Sequence, residues 1–409
     1  MPPLEIKRPN QLGKGARMQT ATAEALDLDH YQGQAALTDR NPKHGTSGIH
    51  FALLGLFGEV GSVLSELKKK QRDQDSYFVY RTSVSEEFGD VLWYFANIAS
   101  RTGLKLSAIG QRAFRGLADW DQPTQNGSVT FEDLQVGVEI SGPLSNDSAE
   151  AGLIALAGKV GRLLDDVASG RIDGNRDALS AHLVEIFRAL IQAANQAGIS
   201  LSESAHRNLE KTSGRWSTAR EYGPLFDENE DPEEQLPRHM EIDIAERTSG
   251  TRTYVRLQCN GINIGDRLTD NKIEQDDYRF HDVFHLGYAA IMGWSPVIRA
   301  LFKVKRKSKP VIDETQDGAR AVLIEEGTAT WIFNHACRLN YFASISSLDY
   351  SLLKAVKELV AGYEVERIAL WQWEEAILKG YEVFRSLQKH RRGIVIADLK
   401  GHTVSFKRS

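Results

Sequence analysis

Apolar residues recur at helical spacing along residues 53–67, separated by polar positions. The stripe consists of Leu53, Leu56, Phe57, Val60, Leu64 and Leu67. This period predicts an amphipathic helix. Residues 84–107 show the same period and predict a second helix, whose stripe consists of Val91, Leu92, Phe95 and Ile98. The two segments together predict a helical hairpin that buries one face.

The same pair of segments returns further along the chain. Residues 53–67 align with 153–167 at an offset of 100, and 84–107 align with 179–202 at an offset of 95. The five missing residues fall between the two helices, where a surface loop tolerates a change of length. We therefore predict a repeat that forms a pseudo-symmetric helical bundle.

Carboxylates interrupt the apolar pattern in the first copy. Glu59 and Glu66 share a face of the first helix, while Glu87 and Asp90 share a face of the second with Glu86 beside them. Acids this close to core positions would repel one another and raise their own pKa values unless arginine or a divalent cation neutralised them. Mg²⁺ prefers such oxygen ligands. The alternative is exposed helix charges paired with the basic run 68–72, and the spacing alone leaves both open.

The remainder of the chain does not continue the repeat. Residues 240–271 alternate like strands, and 393–407 predict a closing hairpin. Helices are predicted between them, at about 275–292, 296–303, 315–345 and 350–389. This pattern predicts an α+β domain with a mostly helical core.

Two segments have the composition of linkers. Residues 121–148 are rich in turn formers around one short predicted strand or hairpin, and 227–237 are acidic, broken by proline and expected to be solvated. They divide the chain into three predicted domains, 20–120, 149–220 and 238–409.

The C-terminal part contains a second group of candidate metal ligands. His281 and His285 are four residues apart, a metal-ligand spacing on a helix, with Asp282 adjacent and Asp277 one turn earlier. Further along are the acidic pair Glu325 and Glu326, and His335 on the same predicted helix. The basic run 303–309 suggests a phosphorylated substrate. The alternatives are histidines that belong to the core and a solvated loop.

Composition narrows the functional class. The chain has 409 residues and a net charge of −5, so no overall basic field indicates a nucleic-acid partner. Cys259 and Cys337 form no metal-binding or disulfide pattern, which is typical of a reducing compartment. Neither a signal peptide nor an apolar run of about 20 residues stands out. We expect a cytoplasmic protein without a membrane partner.

The first copy resembles a known family over residues 25–120. The stretches YQGQAALTD (31–39), ALLGLFGEVGSVLSELKKK (52–70) and EEFGDVLWYFANIASRTGLKLSAI (86–109) are similar to the MazG-type all-α nucleoside triphosphate pyrophosphohydrolases. The resemblance implies a mainly α protein, with a tandem MazG-like helical bundle followed by the α+β domain. It also implies hydrolysis of an NTP or dNTP to a monophosphate and pyrophosphate, with Mg²⁺, or alternatively Mn²⁺, as cofactor.

The family pattern, E-x-x-E on one helix and E-x-x-D on the next, implies the residues of the site. Glu59, Glu87 and Asp90 match metal ligands, and Glu59 or Glu87 would act as the base. Ser62 replaces the second glutamate of E-x-x-E, so the metal would keep an extra water, or Glu66 or Glu86 would substitute. Lys69 and Trp93 are expected to bind substrate. Trp93 has an alternative as a core residue.

The second copy has lost the acids. Its four matching positions hold Lys159, Arg162, His182 and Glu185, a set too cationic to bind a divalent metal. Yet residues 201–216 resemble the family helix in which an asparagine and a lysine, here Asn208 and Lys211, help to hold the nucleotide phosphates. We hypothesise one composite site, with acids from the first copy and phosphate contacts from the second. The alternative is that the second copy is a decayed structural half.

Several functional alternatives remain. Ser62 favours a metal enzyme whose active centre is the His281, His285 and Glu326 cluster, with a second divalent metal; the first half would then only bind nucleotide. A nucleotide-sensing regulatory protein is another alternative. The C-terminal domain could also act as a second phosphohydrolase. A role in cleansing or depleting nucleotide pools, including in stress and phage defence, fits the resemblance, and a homo-oligomer such as a dimer stays open.

Overall fold

The computed structural model describes residues 25–43, 48–114, 129–135, 146–172, 174–217 and 219–408. The chain divides into two compact units, 1–212 and 213–409. The predicted domain 20–120 and residues 149–212 of the predicted domain 149–220 lie in the first unit, and the predicted α+β domain lies in the second. The expectation of a mainly helical chain with a small C-terminal sheet is confirmed. The tandem relation between the two helical segments stays a prediction.

The described part of the first unit consists of helices. In chain order they are α1 (Leu28–Leu37), α2 (Ile49–Asp73), α3 (Tyr80–Arg101), α4 (Leu106–Phe114), α5 (Phe131–Leu134), α6 (Asn146–Ala168), α7 (Arg176–Gln196) and α8 (Leu201–Arg215). α2 packs against α3 and α6, and α6 packs against α7. The predicted pairs of long helices are therefore present at the expected places along the chain.

The apolar stripes of these helices meet in one continuous core. Leu56 and Val60 of α2, Phe95 of α3 and Phe187 of α7 are at most 1% exposed, and the two phenylalanine rings stack with centroids 5.1 Å apart. Burial of each such side chain contributes about 1.5–3 kcal/mol relative to exposure. The helices that carry the acidic residues are therefore held by a core to which both predicted copies contribute.

The predicted linker 121–148 lies largely outside the described residues. Its described part, 129–135, contains the short helix α5, which Thr130 and Asp133 cap reciprocally. Thr130 also forms an isolated antiparallel bridge with Asp27. This part has a bridge and a helical turn, and the rest of the range in which a strand or hairpin is predicted lies outside the described residues.

The second unit contains an antiparallel sheet. Its strands are β1 (His239–Ser249), β2 (Arg252–Cys259), β3 (Ile262–Leu268), β4 (Arg392–Asp398) and β5 (Thr403–Lys407). The order across the described sheet is β3-β2-β1-β4-β5, so the predicted C-terminal hairpin pairs with the first strand of the unit. Met240, Ile242 and Ile244 alternate on the buried face of β1, as expected of a sheet with one covered face.

Helices cover the buried face of this sheet. They are α9 (Asp282–Met292), α10 (Pro296–Phe302), α11 (Pro310–Thr315), α12 (Ala319–Cys337), α13 (Tyr350–Leu359) and α14 (Leu370–His390). α9 and α14 pack against each other and against β4 and β5, and every residue of α9 is buried. The prediction of one helix over 350–389 was wrong. Two helices occupy that range, separated by a 3-10 turn at Glu364–Arg367.

The acidic segment 227–237 is only partly solvated: Glu228, Asp231 and Glu233 are exposed, but its two ends are anchored in the second unit. Asp227 is completely buried, and its carboxylate accepts hydrogen bonds from Arg238 at 2.6 Å and from Arg299 at 2.7 Å. Leu236 is buried in the core of the second unit. The segment is thus part of the fold of this unit, because Arg238 and the buried Arg299 supply the partners that its first carboxylate needs.

Within the described residues, one helical segment, Ile49–Ser76, is long and apolar enough to cross a membrane by length and composition. A single segment of this kind is weak evidence, since core helices pass the same test. The segment contains Glu59 and Glu66.

Candidate functional site

Three carboxylates from two helices converge in the first unit. Glu59 is presented by α2, and Glu87 and Asp90 by α3, with one oxygen from each lying within 4.8 Å of the others. The helical spacing explains the convergence, since Glu87 and Asp90 are one turn apart and α2 packs directly against α3. The three side chains are half-buried. This arrangement provides a compact set of oxygen ligands at the rim of the core.

The environment of the cluster disfavours negative charge. Burial, followed by the nearby charge of Asp90, raises the pKa of Glu59, and the same two causes raise the pKa of Glu87 to about 8. Burial also raises the pKa of Asp90, although the ammonium of Lys211 opposes that shift. A divalent cation among these oxygens would remove the repulsion, and the donor set is the kind that Mg²⁺ and Mn²⁺ accept.

Helix α8 brings two side chains from beyond the second helix pair to this cluster. The amide nitrogen of Asn208 donates to Oδ1 of Asp90 at 2.9 Å, and Nζ of Lys211 donates to Oδ2 of the same residue at 2.5 Å. Asn208 is almost completely buried and accepts a hydrogen bond from the hydroxyl of Tyr31. The acids of the first copy and the Asn and Lys of the second therefore lie at one place.

Other residues proposed for this site lie elsewhere. The Glu66 carboxylate is buried and accepts hydrogen bonds from Lys69, at 2.6 Å, and from the hydroxyl of Tyr77. Glu66 is not among the three grouped carboxylates, and Lys69 is engaged with it. Glu86 lies at the edge of the cluster, 3.3 Å from Nζ of Lys211.

Ser62 and Trp93 add no ligand to the first candidate site. Ser62 is half-buried on α2 and offers no carboxylate to the group. Trp93 is only 8% exposed, and its ring nitrogen donates to the hydroxyl of Thr38 at 2.9 Å. That placement agrees with the core alternative, because a buried indole needs a partner for its N–H.

In the second copy, two of the positions that match the carboxylate cluster of the first copy form an ion pair. Lys159 of α6 lies 2.7 Å from Glu185 of α7, and His182 lies 2.7 Å from Asp166. In the alignment Lys159 matches Glu59 and Glu185 matches Asp90. The equivalent positions thus face each other in both helix pairs, and in the second pair a lysine supplies the positive charge.

Gly89 allows α8 to reach the cluster. A Cβ atom on Gly89 would lie 2.7 Å from the carbonyl oxygen of Ser204 and 3.0 Å from the Cβ of Asn208. The backbones of α3 and α8 are therefore close together at this point, where the hydroxyls of Ser85 and Ser204 also meet at 2.9 Å.

We expect Gly89→Ala to destabilise the first unit by about 1–3 kcal/mol, because a methyl group must push α8 away from α3. The same displacement would draw Asn208 and Lys211 away from Asp90 and reduce any activity of the site. Urea denaturation measures the first effect. Gly158→Ala is the control, since its added methyl meets nothing within 4 Å and should stabilise α6 by about 1 kcal/mol. Equal stability of the two variants would contradict this account.

The second predicted cluster forms in the second unit. His281 immediately precedes α9, His285 lies on α9 and Glu326 lies on α12, and one ligand atom of each falls within 4.8 Å of the others. Nδ1 of His285 lies 2.8 Å from Glu325, so Glu325 supports a histidine and is not itself in the group. Asp282 lies 3.4 Å from Nε2 of His281.

The second cluster favours charged side chains, whereas the carboxylate cluster disfavours them. Burial opposes protonation of His285, but Glu325 and its hydrogen bond raise the pKa of His285 to about 10. Burial works against the charge of Glu326, while His285 and His281 lower the pKa of its carboxyl group. His285 and the Glu326 carboxylate therefore stabilise each other's charged forms.

Two further candidates take no part in this cluster. The carboxylate of Asp277 accepts hydrogen bonds from Arg279, at 2.6 Å, and from Arg391. His335 lies on α12, like Glu326, but its ring packs near Trp331 and Phe342. It is not part of the group of His281, His285 and Glu326. For Asp277, spacing along the helix was misleading because the chain turns before α9 begins.

Two charges of the basic run 303–309 have partners inside the second unit. Arg306 is 1% exposed and donates to Asp317 and Glu364, at 2.7 Å in each case. Lys309 lies 2.7 Å from Glu230. These contacts engage two of the five charges of the run, while Lys303 and Lys307 are exposed. Binding of a phosphorylated substrate by this run stays a prediction.

Some residues of both sites carried no signal in the sequence. Tyr31 orients Asn208, and Ser295 donates to the Glu325 carboxylate at 2.6 Å. A lone tyrosine or serine between apolar residues has no distinguishing pattern, because its role depends on a partner 177 or 30 residues away.

Comparison with known proteins identifies the family. Residues 221–409 match the family model described as the MazG C-terminal domain. The Gene 37 protein of Mycobacterium phage L5 is 33% identical over 93 residues, which cover 21% of this chain and 82% of the phage protein. No solved structure matches the chain. The chain belongs to a MazG-related family.

Proposed function

We propose that the first unit is a nucleoside triphosphate pyrophosphohydrolase. It would cleave an NTP or dNTP between the α and β phosphates, with Mg²⁺ or Mn²⁺ bound at Glu59, Glu87 and Asp90. The observation that carries the proposal is the meeting of these three carboxylates with Asn208 and Lys211. Membership of a MazG-related family supports it.

The residues present fit a divalent cation. Three oxygen donors from two packed helices are held together although burial and mutual repulsion oppose their ionisation. Such a cation neutralises phosphate charge and lowers the pKa of bound water. Ser62 contributes no carboxylate, so we expect a site of three protein acids completed by water and phosphate oxygens.

The side chains of α8 would bind the phosphates. Nζ of Lys211 carries three protons and donates to Asp90 and toward Glu86, so it can turn toward a phosphate oxygen while it stays next to the acids. The Asn208 amide, held by Tyr31, offers a second donor beside it. Glu59 or Glu87 would accept the proton of the attacking water. Cations at this position stabilise the charge that develops on the phosphates in the transition state.

A product assay tests the proposal. The full chain is incubated with Mg²⁺ or Mn²⁺ and a panel of NTPs and dNTPs, and the products are separated by chromatography. A monophosphate and pyrophosphate in equal amounts, lost on addition of EDTA, are the expected result. Orthophosphate and a diphosphate would contradict the proposed cleavage site. If nucleotide binds but is not turned over, the first unit is a nucleotide sensor and the proposed enzymatic function is wrong.

Lys211→Met tests whether α8 completes the site. We expect kcat/KM to fall about 100-fold or more, since one charge-assisted contact to a phosphate in the transition state is worth roughly 3 kcal/mol. Arg207→Ala is the matched control, because Arg207 lies on the same helix and pairs with Glu203 at the surface. Unchanged kinetics in Lys211→Met and in Asn208→Ala would leave the second copy with a structural role only.

A pool-cleansing or pool-depleting role fits the proposed reaction. An enzyme of either kind converts triphosphates to monophosphates and removes them from polymerisation. We propose that such a role, in stress or in defence against phage, is the context of this activity.

A further inference from the structure

We propose that the second unit holds a separate metal centre, in which His281, His285 and Glu326 bind a divalent transition-metal ion of the zinc type. A position on its exposed side would be left for water or an anionic oxygen ligand. This site lies outside the carboxylate cluster of the proposed pyrophosphohydrolase, and it does not depend on that activity.

The first support is the geometry of the donor atoms. Nε2 of His285 lies 3.5 Å and Nε2 of His281 lies 3.7 Å from the same oxygen, Oε2 of Glu326. These separations are long for hydrogen bonds. Two donors that share a tetrahedral ion, with bonds of about 2.0–2.1 Å, lie about 3.4 Å apart. Each histidine nitrogen is therefore spaced from the Glu326 oxygen as a second ligand of one ion would be, and all three atoms lie within 4.8 Å of one another.

The second support is a buried nitrogen that needs a partner. His285 is completely buried, and its Nε2 has no hydrogen-bond partner within the described structure. A buried polar atom left unpaired costs about 1–3 kcal/mol. Because Nε2 points toward Glu326 and the side of His281, a metal ion between them would satisfy it.

The third support is the way in which the other ring nitrogens are held. Nδ1 of His285 lies 2.8 Å from Glu325, and Nδ1 of His281 lies 2.9 Å from the carbonyl oxygen of Tyr278. Each histidine can therefore donate its Nδ1 proton and present Nε2 as a lone-pair donor. Metal-binding histidines are oriented in this way by a carboxylate or a backbone carbonyl.

Glu325 is itself fixed in place. It is completely buried and accepts hydrogen bonds from the Ser295 hydroxyl at 2.6 Å and from the Val297 amide at 2.8 Å. The ring of Tyr278 stacks on His281, with centroids 4.3 Å apart. The ligand rings are therefore held in position before any ion binds, which keeps the entropic cost of binding low.

The donor types select the class of metal. Two imidazoles and one carboxylate suit Zn²⁺ and related transition metals, whereas Mg²⁺ prefers oxygen donors alone. Three protein ligands are typical of catalytic zinc sites, which keep a fourth position open, while structural sites use four. The side chain of Glu326 is 37% exposed, so the open position would face solvent through this residue.

Metal analysis of the full chain tests the proposal. The protein is purified without a histidine tag, treated with a chelator, reloaded with Zn²⁺ and desalted before elemental analysis. We expect about one zinc per chain in the wild type and in Glu87→Gln, which changes only the carboxylate cluster. His281→Gln and Glu326→Gln should bind zinc at least 100-fold more weakly. Glu325→Gln should lose about 10–100-fold, as expected of a group that orients a ligand.

His335→Gln is the control, because His335 lies on the same helix as Glu326 outside the group. Loading with Co²⁺ adds a spectroscopic readout, since visible absorption bands report four- or five-fold coordination with nitrogen donors. Circular dichroism confirms that each variant is folded. Failure of the wild type to bind zinc or cobalt would overturn the proposal. Binding that survives both His281→Gln and Glu326→Gln would also overturn it, since the ion would lie elsewhere.

Discussion

Glu87→Gln is expected to abolish pyrophosphohydrolysis and, in the absence of divalent cations, to make the protein more stable. The first effect follows from the loss of one of three acids that would bind the cation. A ligand and its charge contribute several kcal/mol to transition-state stabilisation, so we expect turnover to fall about 10³-fold. Chromatographic assay of the monophosphate product measures this loss.

The gain in stability follows from the repulsion within the cluster. The pKa of Glu87 is raised to about 8 in the fold from the usual 4.5. Since the folded pKa exceeds the unfolded one, the contribution of the protonated form is complete below about pH 4.5 and is lost as pH rises through about 8. The uncharged amide of the Glu87→Gln variant does not ionise, so this variant does not lose this stability as pH rises. In EDTA at pH 8 we expect Glu87→Gln to be more stable by about 1 kcal/mol.

Thermal unfolding in EDTA from pH 5 to pH 9 checks the second effect. The wild type should lose stability relative to Glu87→Gln across this range, and added Mg²⁺ should stabilise the wild type more than the variant. Glu203→Gln is the control, since Glu203 is exposed on α8 and pairs with Arg207. A variant less stable than the wild type at pH 8 would contradict the interpretation of the cluster as a strained metal site.

Asp317→Ala is expected to destabilise the second unit by about 3–5 kcal/mol, the usual cost of removing one partner of a buried ion pair. Asp317 is completely buried and accepts hydrogen bonds from the backbone and the guanidinium of Arg306. Arg299, itself 1% exposed, lies 3.6 Å from the same carboxylate. Removal of Asp317 leaves these buried cations short of negative charge.

Urea denaturation of the full chain, followed by tryptophan fluorescence, measures this effect. Glu314→Gln is the control, because Glu314 is exposed three residues earlier and a surface change of this kind stays within about 0.5 kcal/mol. A loss of less than about 1 kcal/mol in Asp317→Ala would mean that the network of Asp227, Arg299, Asp317 and Arg306 contributes little to stability.

The periodicity of apolar residues in the sequence predicted the positions of helices and strands, which depend on local structure. The 3.6-residue period located α2, α3, α6 and α7, because each helix buries one continuous stripe. Period-two alternation located the strands of the second unit for the same reason. Residues one turn apart, such as Glu87 and Asp90, and His281 and His285, could be paired before the structure was known.

Errors arose where a residue's partner lies far away in the chain. Asp227 and Arg306 looked like solvated charges in polar segments, but each is buried against an opposite charge that folding brings to it. Glu66 is an error of another kind: it shares a helix face with Glu59, yet its carboxylate is engaged locally by Lys69 and Tyr77. Spacing reports which face a side chain occupies and says nothing about what lies opposite.

The sequence by itself determined the helices of the first unit, the acids they carry, the mixed C-terminal unit and the histidine pair, since these depend on local periodicity and residue type. Only the tertiary structure decided that Asn208 and Lys211 reach Asp90, that Gly89 permits this approach, and that Glu325 contacts His285 while Glu326 joins the proposed ligand group. The physical reason is that helix packing selects which turns meet. A difference of one residue along α12 separates the ligand from its support.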